Sequence, residues 1–290
     1  IYDGAKSPSK IPNESSSMIR LTMLIATTTL VALPAAADVF SDRVGKTDLA
    51  DPSITHAPED GIVKLYGAGG PHTAFQKVAD VWQEETGTEV EIVAGPEADW
   101  SADAQADADI MWGTSEQLMT AFLLTYPAFD HEEVEPIYIR PAVITVKAGN
   151  PKGIEGFDDL LGEDISIVVT EGAGVYNTSG TGTWEDVAGR LGRLDDIAAF
   201  RENIVAYALG SGASFQQFQD QDADAWITWP NWPLTHQDVL EMVELDDARK
   251  IWRDVNVVIS PNADPAAQDF LDFLVTDEAQ ELMATEGWQR

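Results

Sequence analysis

Along the chain, short apolar β-branched runs alternate with stretches where apolar residues recur every three or four positions. Ile62 to Tyr66 predicts a strand, and a helix follows over Thr73 to Gly87, closed by its glycine. Glu89 to Val93 and Asp109 to Trp112 predict two further strands, with a helix after Ser115 in EQLMTAFLL. Pro136 to Val146 (PIYIRPAVITV) is a long extended run broken at Pro141. A short helix over Gly156 to Leu161 and a strand over Ile165 to Thr170 come next, then a Gly/Thr-rich loop and a helix. Ile204 to Leu209, Ala225 to Thr228 and Val255 to Ile259 read as strands. Two amphipathic helices, over Pro265 to Val275 and Asp277 to Thr285, close the pattern. Strands alternating with helices predict an α/β fold with mainly parallel sheets flanked by helices. The run around Arg140 reads as a strand crossing between two sheets, and ligands of such sheets sit beyond the carboxyl ends of strands.

The first part of the chain follows another pattern. Met18-Ile-Arg precedes a 13-residue apolar core, Leu21 to Leu33, and Pro34-Ala35-Ala36-Ala37 offers small residues before a cut after Ala37. This predicts residues 1–37 to be upstream sequence plus a signal peptide, because the core falls short of the roughly 20 apolar residues of a membrane span. An exported protein with no membrane insertion after cleavage is the expectation. Asp38 to Glu59, with two prolines, reads as a linker.

Charge narrows the partners. The chain carries 17 basic and 50 acidic residues, a net charge of −33. Without residues 1–37, which hold three of the basic and two of the acidic residues, 14 basic face 48 acidic ones. Such acidity repels nucleic acid and anionic membranes. Its scatter over a normal apolar fraction predicts a globular protein adapted to high salt. There is no cysteine, and the four histidines have no helical metal-ligand spacing. No thiol chemistry, zinc site or cofactor is therefore expected.

Four strand-to-helix junctions share one chemistry: Gly67 to Thr73 (GAGGPHT), Gly113-Thr114-Ser115, Thr178 to Thr183 (TSGTGT) and Gly210 to Ser214 (GSGAS). Glycines let a ligand approach the backbone, and hydroxyls with free N–H groups at helix starts face an oxyanion. The same residues also make ordinary helix caps. No loop has the lysine of a phosphate-binding Walker loop or the spacing of a dinucleotide fingerprint, and no GxSxG occurs. Arg140, flanked by apolar residues, needs an anion or a carboxylate partner. Trp184, Trp226, Trp229 and Trp232 either pack the sheet ends or cage a betaine-like quaternary ammonium, with Trp229 placed to wall a cleft.

The stretches LYGAGGPHTAF, IMWGTSEQ, IRPAVITVKAGNPKGIEGFDDLL, NTSGTGTWEDVAGRLG and DPAAQDFLDFLVTDEAQELMATEGW carry a family resemblance. The chain resembles the type II periplasmic substrate-binding proteins of ABC transporters, specifically the accessory colonization factor branch, related to sulfate- and molybdate-binding proteins. This implies two α/β lobes joined by crossing strands, 38–140 with 232–290 as one and 141–231 as the other. It also implies a small anionic ligand held between them and an ABC transporter permease as partner. Gly69, Gly70, His72, Thr114 and Ser115 would line the cleft from the first lobe, with Arg140 at the crossing. Thr178, Ser179, Gly180, Thr181, Gly182, Thr183 and Ser211 would face them from the second. The ligand would be a sulfate-like oxyanion or a small phosphorylated or carboxylated metabolite, the protein a monomer or dimer and not an enzyme. Betaine binding and a surface adhesin remain the alternatives.

Overall fold

Residues 49–171 and 182–290 are described by a computed structural model, Glu171 by its backbone alone. In chain order they form β1 (Ile62–Gly67), α1 (His72–Thr86), β2 (Glu89–Ala94), α2 (Glu97–Asp107), β3 (Ile110–Gly113), α3 (Glu116–Thr125) and β4 (Glu135–Pro141). Then come β5 (Val143–Lys147), β6 (Ile167–Glu171), α4 (Thr183–Gly189), α5 (Leu194–Glu202), β7 (Ile204–Leu209), α6 (Ser211–Asp220), β8 (Ala225–Thr228), α7 (Asn231–Thr235) and β9 (Leu240–Glu244). β10 (Trp252–Ile259), α8 (Pro265–Leu274) and α9 (Asp277–Ala284) complete the chain. The proposed signal peptide lies outside the described residues, and no helix among them is long and apolar enough to cross a membrane.

The strands make two five-stranded sheets of one plan. The first has the order β2-β1-β3-β10-β4 and the second β7-β6-β8-β5-β9. In each, three strands pair in parallel and two more add antiparallel. The chain passes from the first sheet to the second at Ala142, between β4 and β5, and returns between β9 and β10. β9 falls in the stretch that the sequence division gives to the first lobe, yet it hydrogen-bonds along β5. Its five residues, LEMVE, alternate too weakly with the polar residues around them to announce a strand.

The central strands of both sheets are covered on both faces, which explains their nearly continuous apolar runs, whereas β7 at the edge leaves Val205, Tyr207 and Leu209 exposed. Val63, Leu65, Trp112 and Val257 join one buried cluster with α1, α8 and α9, while Tyr66, Met111 and Val258 point into another with Trp100 and Phe122. The second sheet repeats the arrangement, Ile167 and Val169 on one side and Val168 with Trp226 on the other. The period of two along each strand decides which cluster a residue joins.

Local chemistry sets the helix ends. Gly87 at φ 75° closes α1, the Ser115 hydroxyl accepts from the Leu118 N–H, and Thr276 accepts from Ala279. Part of the stretch read as a linker is instead fastened to the body. The Asp51 N–H donates to Gln105 Oε1 at 2.7 Å, and His56 Nε2 lies 2.8 Å from the Ser260 hydroxyl.

Candidate functional site

Arg140 lies in β4, one residue before the end of the strand, and is fully buried. Its guanidinium lies 4.8 Å from the ring centre of Trp229 and 4.2 Å from that of Trp288. The two indoles hold it by cation–π attraction while withholding it from water. Nη1 donates to Asn231 Oδ1 at 2.9 Å. Nε and Nη2 are shielded from solvent and have no hydrogen-bond partner among the described residues. No ion pair of Arg140 with a carboxylate occurs there either. Burial pulls the guanidinium pKa down to about 9, still high enough to keep the charge at neutral pH. A buried cation with two idle donors is an incomplete arrangement that an anion completes.

Two of the glycine loops reach this group. A Cβ placed on Gly70, whose φ is +127°, would lie 3.2 Å from Arg140 Nη2 and 3.6 Å from the Thr114 methyl. Gly70, Thr114 and Arg140 are thus neighbours, although they come from the β1–α1 loop, the β3–α3 loop and β4. The Thr114 hydroxyl is buried and without a partner among the described residues, a further idle group beside the guanidinium. The Gly70 N–H donates to His72 Nδ1 at 3.1 Å, so in the neutral ring the proton sits on Nε2. Burial holds the His72 pKa below its usual value, and the Glu286 carboxylate opposes that shift. Glu286 is itself tied to the Thr73 hydroxyl and to Lys77. A Cβ on Gly69 would come no closer than 4.0 Å to the His72 ring, and Ser115 serves as the cap of α3.

The second-sheet candidates are spread more widely. Thr178, Ser179, Gly180 and Thr181 lie outside the described residues. Gly182, at φ 71°, precedes α4, and Thr183 opens that helix in a buried position. Ser211 starts α6 half-buried. No hydrogen bond or ion pair among the described residues links Gly182, Thr183 or Ser211 to the arginine. The neighbouring Ser214 instead bonds Thr170, whose hydroxyl also accepts from the Trp226 indole.

The tryptophans divide in two. Trp226 packs against Trp232, which stacks on His236, and Trp184 stacks on Phe200, so these rings fill the second sheet's interior. Trp229 meets the site, but its face is turned to Arg140. Sequence reading missed Asn231 and Trp288 as neighbours of the arginine. Asn231 sits inside WPNWP and Trp288 in the final turn, and only the topology brings them to β4: the Ile139 and Gln289 backbones pair beside it.

Two sheets of this plan, joined by two chain crossings and flanked by helices, define the type II periplasmic binding fold. The chain belongs to the bacterial extracellular solute-binding protein family, whose model matches residues 63–289. It is similar to PEB3 in a crystal structure with bound L-phospholactate, with 40% identity, 79% of this chain and 99% of that chain covered, and a TM-score of 0.74. A second crystal structure, of Peb3 from Campylobacter jejuni, is 41% identical over 79% of this chain and 99% of that one, with a TM-score of 0.73. The fold is also that of the sulfate-binding protein SubI of Mycobacterium tuberculosis, 18% identical over 79% of this chain and 86% of that one, TM-score 0.62. These neighbours match the branch that the sequence resembles. No curated protein sequence matches the chain.

Proposed function

We propose that this chain is exported, captures a small phosphorylated carboxylate or a related oxyanion at Arg140, and delivers it to an ABC permease. One observation carries the reading: a fully buried guanidinium with two unpaired donors in a protein rich in carboxylates, none of which pairs with it among the described residues. The relative with L-phospholactate bound supplies the ligand class, since it shares 40% identity over 99% of its own length. In this reading the oxyanion takes Arg140 Nε and Nη2 and the Thr114 hydroxyl, with the His72 Nε2–H and the Ser115 turn beside them. Gly70 gives it room, and Gly69 lies beside it in the same loop. Gly182, Thr183 and Ser211 would close from the second lobe, and the lobes divide where the chain changes sheets, at Ala142 and between Glu244 and Trp252. Binding is then linked to closure of the lobes. The same geometry argues against a betaine cage, because Trp229 and Trp288 already face a cation of the protein's own.

Thermal unfolding with L-phospholactate, phosphate, sulfate, molybdate and glycine betaine tests the proposal. At 100 times its dissociation constant the true ligand adds about 2.7 kcal/mol of stability. Arg140→Gln weakens binding by roughly tenfold to a hundredfold, the loss of a charged hydrogen bond. The ligand-free variant is no less stable than the parent, because a desolvated charge is removed. A variant that binds its best anion unchanged, or a parent that responds to betaine alone, would sink the assignment.

A further inference from the structure

On the far side of the β3–α3 junction lies a second polar constellation, of opposite sign. A cavity of about 430 Å³ opens between α3 and β10. Its floor holds Asp254 and Asn256, side by side on one face of β10. Asn256 Nδ2 donates to Asp254 Oδ2 at 2.8 Å, which fixes the orientation of both groups. The remaining oxygens, Asp254 Oδ1 and Asn256 Oδ1, are shielded from solvent and have no partner among the described residues. Asn256 is only 2% exposed. A Cβ on Gly113 would come within 2.7 Å of Asn256 Oδ1, so that oxygen packs against the β3–α3 junction where only glycine leaves it room. Glu116 stands at the rim, and burial together with that second carboxylate pushes the Asp254 pKa up. Arg253, the nearest basic residue along the strand, is turned to Asp186 at 2.7 Å.

Buried acceptors without donors call for a donor from outside. A hard divalent metal is poorly served, since it needs six or more oxygens. The remaining lining is the hydrocarbon of Met119, Leu123, Val134 and Pro136 with two polar residues, Thr120, whose hydroxyl donates to the Glu116 carbonyl, and the exposed His131 beside Asp130. A primary ammonium carries three N–H donors and can bring an apolar chain of its own. We propose that this cavity binds a short primary alkylammonium, with its –NH₃⁺ donating to Asp254 Oδ1, Asn256 Oδ1 and the Glu116 carboxylate and its chain lying along the hydrocarbon wall. The site is independent of the anion reading, but Glu116 directly follows Thr114 and Ser115, so a single helix start separates the two.

Calorimetric titration of the full chain with n-butylammonium chloride tests it, with ammonium and potassium chloride as comparisons and tetramethylammonium chloride as background salt. The expected result is saturable binding of one butylammonium per chain, at least tenfold tighter than ammonium or potassium. Asp254→Asn should weaken it tenfold or more, while Arg140→Gln leaves it unchanged. If Asp254→Asn does not fold, Leu123→Asn on the half-buried wall should erase the preference for butylammonium over potassium. Butylammonium binding no tighter than potassium would reduce the effect to counterions around an acidic surface and overturn the proposal. Binding that survives both substitutions would overturn it equally.

Discussion

Two adjacent glycines make contrasting demands at the arginine. Gly70 has a left-handed backbone and a guanidinium nitrogen 3.2 Å from where a methyl would go, whereas Gly69 has neither constraint. Gly70→Ala should therefore cost roughly 1–3 kcal/mol of stability and displace Arg140, lowering affinity for the anion by about tenfold. Gly69→Ala should leave both near the parent values, and equal effects in a titration of the two variants would place the crowding elsewhere. His72 adds a pH dependence of definite sign. The unfolded ring takes up a proton near its ordinary pKa of 6.5, while burial makes the folded ring resist it. As pH falls through that value the unfolded state binds more protons, so this contribution to stability is present above pH 6.5 and lost below. Protonated Nδ1 also ceases to accept from Gly70. Urea unfolding at pH 8, 6.5 and 5.5 should show the stability advantage of the parent over His72→Gln shrinking as pH falls; a constant difference would contradict a neutral buried ring.

At the scale of elements, a second buried arginine provides the contrast to Arg140. Arg249 lies between β9 and β10, donates to the Val187 and Ala188 carbonyls at the end of α4, and pairs with Asp196 on α5 over the Phe157 ring. All of its chemistry is internal, so Arg249→Ala should cost about 3 kcal/mol by removing the buried donor to the Val187 and Ala188 carbonyls and leaving the partly buried Asp196 carboxylate with only the exposed Arg193. Arg140→Gln should cost nothing, and urea midpoints of the two variants decide which arginine is structural. The sequence distinguished them only halfway. Arg140 stood out because apolar residues flank it, whereas Arg249 follows Asp-Asp-Ala and pairs across 53 residues, a relation no local pattern carries. The parallel strands and their glycine-ended helices were legible because both faces are buried and the runs are uninterrupted. α2 was hidden: EADWSADAQAD buries only Trp100, Ser101 and Ala104, and its acids read as a charged patch. β9 and the antiparallel halves of the sheets were hidden too, since strand direction depends on where the chain recrosses. The loops of the site were visible as chemistry, but Asn231 and Trp288 reach Arg140 only through the fold.

For the whole molecule, charge and site oppose each other, and salt exposes the conflict. A chain of net charge −33 repels a small anion at long range, although the group proposed to hold the anion is a buried cation. Raising the ionic strength from 0.1 M to 1 M shortens the screening length from about 10 Å to about 3 Å. Repulsion among exposed carboxylates fades, so stability of the folded chain should rise with salt. The approaching anion meets a lower barrier at the same time, and its association rate should rise several-fold. Dissociation should change by less than about twofold, because Arg140 lies in a desolvated pocket where mobile ions screen little. Affinity should thus improve with sodium chloride, the reverse of an anion held by exposed lysines. Trp229 and Trp288 lie against the guanidinium, and their fluorescence in stopped-flow mixing would report both rates. A dissociation rate that climbs with salt would move the anion away from Arg140 to the solvent-exposed surface, where its contacts would be open to screening.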